Sequence, residues 1–167
     1  MVSPRQFLNR RTIAVALAVC VLSGGYVVST EEMTPFVDEP ATVDVQNENN
    51  TTYQVTLYRT SVDSLSDLTF RYDMDNRTRY TGLGEVATST RFRNLSVLDA
   101  DRSTDATVPT DGSVSLTLES FEGSGTYAVI VETTDNRAVL TTAEYCNDDG
   151  AEFHVDIADR SASVSCV

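Results

Sequence analysis

The chain has 167 residues, 25 acidic against 12 basic, with every basic residue an Arg and no Lys or Trp, for a formal net charge of −13. That length suits one domain with a true core. A hydrophobic content of 41% excludes a disordered acidic chain, and the negative balance excludes nucleic acid or an anionic membrane surface as a partner.

All the acidic residues lie at or after Glu31, and before it the only charges are Arg5, Arg10 and Arg11. An Arg-bearing start, the apolar run Ile13–Leu22 and the small residues Ser23, Gly24 and Gly25 together have the layout of an export signal. Residues 1–30 are therefore read as a signal peptide or an apolar membrane-anchor helix. Three outcomes stay open: cleavage near Gly25, retention as an anchor with the N-terminus inside, or lipidation at Cys20. Leu17-Ala18-Val19-Cys20 resembles a lipobox except at Val19, and Arg10-Arg11 resembles a twin-arginine signal. Residues 31–40, with two Pro and four acids, read as a linker.

From residue 41 to 167 the apolar period is two, which indicates strands. Thr42–Val45, Tyr53–Tyr58, Leu68–Met74 and Val114–Leu118 alternate, the last after the turn signal Thr110-Asp111-Gly112. Tyr127–Val131 follows with Tyr127, Val129 and Val131 inward. A turn at Thr134–Arg137 leads to a strand through Tyr145. Phe153–Ile157 and Ala162–Cys166, joined at Asp159-Arg160, form a closing hairpin. Eight or nine short strands and no helix after residue 30 predict an all-β fold, an antiparallel sandwich.

Two resemblances sharpen this reading. The acid-rich, Lys-free composition with abundant Thr, Val and Asp resembles proteins of extreme halophiles. In molar salt the Debye length falls to about 3 Å, and hydrated carboxylates keep such a surface soluble. The segment Phe121–Val129, with Gly125-Thr126-Tyr127, resembles the G-x-Y opening of a late strand in Ig-like sandwiches. The resemblance implies a haloarchaeal-type exported Ig-like β-sandwich in which the Tyr127 hydroxyl caps the preceding corner.

With Cys20 in the targeting segment, Cys146 and Cys166 remain as an even pair in the exported part. A disulfide between them is expected, worth about 3 kcal/mol for a loop of about 20 residues, with Cys166 turned towards the core. His154, the sole histidine, is expected on the solvent side of its strand, with no nucleophile motif to serve. Asp99–Asp105 has alternating oxygen ligands but lacks the Gly and Glu of a calcium loop, and Asn147–Gly150 with Glu152 is a second acidic turn; both read as solvated loops. No catalytic residue, metal site or cofactor is assigned.

Five Arg crowd into 23 residues: Arg71, Arg77, Arg79, Arg91 and Arg93, interleaved with Phe70, Tyr72, Tyr80 and Phe92. They form either an anion-binding face or a solvated face in which each Arg pairs with a neighbouring acid. Asn49, Asn50, Asn76 and Asn94 each begin an N-x-S/T tripeptide, the acceptor pattern for N-glycosylation. The expectation is an exported, envelope-associated sandwich with a binding or structural role, outside the cell or on the outer face of the cytoplasmic membrane. Its expected partner is an envelope protein or glycan, with the membrane reached through the N-terminal segment if uncleaved. Two alternatives remain. The layout is similar to archaellum stator proteins and pilins, subunits of surface machines, and a secreted enzyme built from common carboxylates is compatible with the acid content.

Overall fold

The computed structural model describes residues 40–119, 124–147 and 150–166. The expected signal or anchor at 1–30, and all but Pro40 of the linker, lie outside these. Eleven strands are found: β1 (Ala41–Asn47), β2 (Tyr53–Thr60), β3 (Thr69–Met74), β4 (Arg77–Gly82), β5 (Arg93–Val97), β6 (Arg102–Val108), β7 (Gly112–Leu118), β8 (Gly125–Thr133), β9 (Ala138–Cys146), β10 (Ala151–Asp156) and β11 (Ser161–Cys166). A single helical turn, α1 (Leu83–Val86), follows β4 and corrects the expectation of no helix.

The strands make three sheets, ordered β11-β10-β1-β7, β6-β2-β8-β9 and β4-β3-β5. Every pairing is antiparallel except β1 with β10. The first two sheets close on a core that includes Val43, Val55, Leu57, Phe153 and Ile157, the inward half of each alternating pattern. This is the sandwich read from the sequence, corrected in that it is not wholly antiparallel, since β1 and β10 run parallel. The third sheet was not anticipated. It covers the other face of the second sheet and builds a separate core around Leu68, Phe70, Tyr72, Leu95 and Ile130.

Strand β8 is consequently buried on both faces. Tyr127, Val129 and Val131 enter the first core, while Ala128 and Ile130 enter the second. Its unbroken apolar run, Ala128-Val129-Ile130-Val131, is the mark of a strand covered on both sides. Tyr127 is a buried core tyrosine, and residues 120–123 of the corner its hydroxyl is expected to cap lie outside the described residues. The glycine before it has a packing reason. A Cβ on Gly125 would sit 3.1 Å from the Thr60 carbonyl oxygen and 3.2 Å from Arg59 Cζ. Arg59 is itself buried, with Nη1 3.4 Å from Asp101 Oδ2 and Nη2 donating to the Ser124 carbonyl at 3.2 Å.

The registers give the domain two distinct poles. Ala41, where the chain enters β1, lies opposite Leu118 and beside the pairing of Thr42 with Glu152. Ala151 pairs with Cys166, so both ends of the domain share this proximal pole. The disulfide between Cys146 and Cys166, Cα atoms 5.5 Å apart, lies there too and ties the second sheet to the first. Cys166 is on the inward side of β11 by register, yet it is exposed because it ends an edge strand; Cys146 is fully buried. The turns β1–β2, β3–β4, β6–β7, β8–β9 and β10–β11 gather at the opposite, distal pole. There the Asp111 amide donates to Asn49, the Asn94 amide to Asn136 and the Ile157 amide to Gln46.

Candidate functional site

The third sheet begins as a hairpin. Asp75 and Asn76 both adopt positive φ, 54° and 59°, between the paired Met74 and Arg77, which is the two-residue type I′ turn. Cross-strand partners share a face. Arg77 stands beside Met74 and Arg79 beside Tyr72, on the side that carries the core residues Phe70 and Tyr72. Because β4 is the edge strand, both Arg are exposed beyond the core. Arg71 pairs with Tyr80 on the opposite face. The five-Arg segment is thus divided between two faces.

A groove of about 550 Å³ runs along the first of these faces, between Tyr72 and Met74 on one side and Glu85, Thr88, Arg91 and Phe92 on the other. Its floor is set by an edge-to-face contact of Tyr72 and Phe92, ring centroids 4.5 Å apart. Met74, 38% exposed, is open to solvent. Arg91 lines this groove and also the adjoining hollow beside Asn76 and Asn94. Arg91 thus lines the groove, while Arg77 and Arg79 stand on the neighbouring edge strand, on the same face.

The ion pairs expected of a merely solvated face form at only one of the five Arg. Arg93 Nη2 lies 3.6 Å from Asp135 Oδ2, and Arg137 Nη2 approaches the same oxygen at 3.7 Å. The Thr133 hydroxyl, then Arg137 and Arg93, hold the Asp135 carboxyl below the usual aspartate range. Arg71, Arg77, Arg79 and Arg91 make no ion pair among the described residues. Two acids of this region accept from neutral donors. Asp73 accepts from the Thr78 hydroxyl at 3.0 Å and from Asn94 Nδ2 at 2.9 Å, and Glu85 accepts from the Thr81 hydroxyl.

The outer face of the first sheet is a second shallow groove, of about 530 Å³. One cross-strand row there reads Ser115, Asp44, His154, Ser163. His154 is exposed, as its alternation with Phe153 and Val155 requires. Its Nδ1 is 3.9 Å from Asp44 Oδ2, but its Nε2 is 3.6 Å from Glu152 Oε1 and so meets a carboxylate where a relay would need a serine hydroxyl. The segment Asp99–Asp105, expected as a solvated loop, is a strand in its second half. Arg102–Val108 is β6, where Asp105 accepts from Gln54 Nε2 at 2.6 Å, while Asp101 serves Arg59. Of the other acidic turn, Asp148 and Asp149 lie outside the described residues, and Glu152 belongs to β10.

Between the second and third sheets sits Glu132, half-buried, which accepts the Leu95 amide at 3.0 Å. Burial holds its carboxyl above the ordinary glutamate range against the pull of that amide. Burial, and next the Glu132 charge, push the Tyr58 hydroxyl up as well. Sequence reasoning missed this pair because the sheet that buries it was itself not foreseen.

The family model for the halobacterial Ig domain protein matches residues 7–167 of this chain. The chain belongs to the halobacterial Ig domain protein family. In this halobacterial Ig domain protein, eleven strands are described and the sequence is acid-rich and free of Lys. No curated protein matches the sequence. Among solved structures, the T6SS lipoprotein TssJ1 from Pseudomonas aeruginosa is similar over 77% of this chain and 98% of its own, at 12% identity and a TM-score of 0.41. A Bacteroides ovatus protein described as a cell adhesion protein is similar over 77% of this chain and 44% of its own, at 8% identity and a TM-score of 0.33.

Proposed function

We propose that this halobacterial Ig domain protein is an exported, envelope-associated module that holds anionic groups, carboxylates or sulfates, of an envelope glycan or protein in the groove of its third sheet. The observation that carries this is the state of Arg77, Arg79 and Arg91. In a chain with 25 acidic residues, Arg77 and Arg79 stand on the edge strand on the face of the groove that Arg91 and Glu85 line, and none of the three Arg makes an ion pair among the described residues. Arg presents a planar fork of donors suited to carboxylate and sulfate oxygens, and bidentate contact survives salt that screens longer-range attraction. The Arg-then-apolar N-terminus and the Cys146–Cys166 disulfide support an oxidising compartment outside the cytoplasmic membrane.

Retention of the full chain on a polyuronate resin in molar NaCl tests the groove. The Arg77→Gln, Arg79→Gln, Arg91→Gln triple variant should fold normally and pass through unretained, while Arg71→Gln stays bound. Equal retention of the triple variant, or none for the wild type on either polyuronate or sulfated resin, would remove the proposal. Recovery of full-length protein from the soluble cytoplasm would remove the export part.

A further inference from the structure

All four N-x-S/T tripeptides lie at the distal pole. Asn49 and Asn50 sit in the β1–β2 turn, Asn76 in the β3–β4 turn, and Asn94 against Asn136 of the β8–β9 turn. Their carboxamides are in different states. Asn49 is half-buried and its Nδ2 donates to the Tyr53 hydroxyl at 3.4 Å, while its amide donates to Asn47 Oδ1 at 3.0 Å. Asn94 is a structural clamp. Its Nδ2 donates to Asp73 Oδ2, its Oδ1 accepts from Asn136 Nδ2, both at 2.9 Å, and its backbone holds φ at 50°. Asn94 is exposed, but freeing its side chain would break both of these hydrogen bonds, one to β3 and one to the β8–β9 turn. Asn50 and Asn76 are exposed, and among the described residues neither carboxamide makes a hydrogen bond.

We infer that Asn50 and Asn76 carry N-linked glycans and that Asn49 and Asn94 do not, an inference that rests on export and not on the Arg groove. The donor is a glycan carried on a polyprenyl phosphate or diphosphate outside the membrane. The carboxamide nitrogen attacks the sugar C1, forming the C1–N bond. The C1–O bond to the lipid phosphate breaks and leaves the electron pair on that phosphate oxygen, while a carboxylate of the transferase takes the amide proton. A carboxamide without partners can be drawn into such a site at little cost. One that holds hydrogen bonds to a neighbouring strand and a turn must break both first. The tight turns also help, since their tips are the parts of the domain that reach furthest from the sheets.

The test uses the full chain, recovered by fractionation from the cells that make it, with intact-mass and peptide mass spectrometry. The wild type should exceed its polypeptide mass by two glycans. Asn50→Gln and Asn76→Gly should each remove one, and Asn94→Gln none. Glycine is chosen at 76 because Asp-Gly suits a type I′ turn and pays nothing for positive φ, so the hairpin survives the change. A bare polypeptide mass, sugar on only one of the two sites, or sugar on Asn49 or Asn94 overturns the assignment. Because location is read from the same fractions, bare protein outside the membrane refutes glycosylation alone, whereas bare protein in the cytoplasm refutes export with it.

Discussion

Reducing the Cys146–Cys166 disulfide should cost the domain much of its stability. The bridge closes a loop across a sequence separation of 20. In the chain-entropy account a loop of that size removes roughly 11 cal/mol/K from the unfolded ensemble, or about 3 kcal/mol at room temperature. For a domain of this length that is about 10 °C in Tm, against a total stability of roughly 5–15 kcal/mol. The structure says where the loss begins. Strand β11 pairs with β10 alone among the described strands and its residues are exposed or half-buried, so beyond the packing of Ala162 and Val164 on the core the disulfide is its covalent tie to β9 in the other sheet. Urea unfolding in molar NaCl, with and without reductant, should show a lower midpoint and a steeper denaturant dependence for the reduced form, whose unfolded chain is more extended. Hydrogen exchange should place the first loss of protection at Ser161–Cys166. A Cys146→Ala, Cys166→Ala variant should match the reduced protein. Coincident curves for oxidised and reduced protein, or two alkylatable thiols in denatured unreduced protein, would refute the reasoning.

Stability should also depend on salt. The part from Glu31 onward carries 25 acids and nine Arg, a net of −16, so transfer from molar to low NaCl should lower the melting temperature; equal melts would contradict the halophilic reading. Glu132 gives a pH prediction. With its folded-state carboxyl raised above the unfolded value, its contribution is fully present below the unfolded pKa and is lost as pH rises through the folded one. Glu132→Gln, which keeps an acceptor for the Leu95 amide, should therefore stabilise the domain near neutral pH and shrink its gain on mild acidification. An unchanged pH profile would show that the carboxyl is not strained by burial.

The strands legible in the sequence were those with one wet face. Tyr53-Gln-Val-Thr-Leu and Phe153-His-Val-Asp-Ile put an apolar residue at every second place because one side of each meets the core and the other meets solvent. The strands β4 and β6 escaped because burial did not write that pattern into them, and β5 because only Leu95 and Val97 of its five residues carry it. Arg77–Gly82 has no fully buried residue and owes its existence to the Asp75-Asn76 turn and to pairing with β3. Arg102–Val108 buries only Val108, and its acids looked like ligands of a loop. For the groove, the interleaving of Arg with Phe70, Tyr72 and Phe92 was visible, but the division of Arg71 from Arg77 and Arg79 depends on hairpin parity. So does the failure of Asp73 and Glu85 to neutralise them, because Thr and Asn reach those carboxylates first.

The parallel contact between β1 and β10 has a mechanical meaning. A pull between Ala41 and the distal pole runs along the axis of β1, whose neighbours are β10 over five residue pairs and β7 over seven. Hydrogen bonds perpendicular to the load share it all at once and must slide together, whereas a hairpin peeled from its open end gives way one rung at a time. A domain tethered at its first strand and gripped at its far turns is thereby loaded in shear, the direction in which a sheet is hardest to tear.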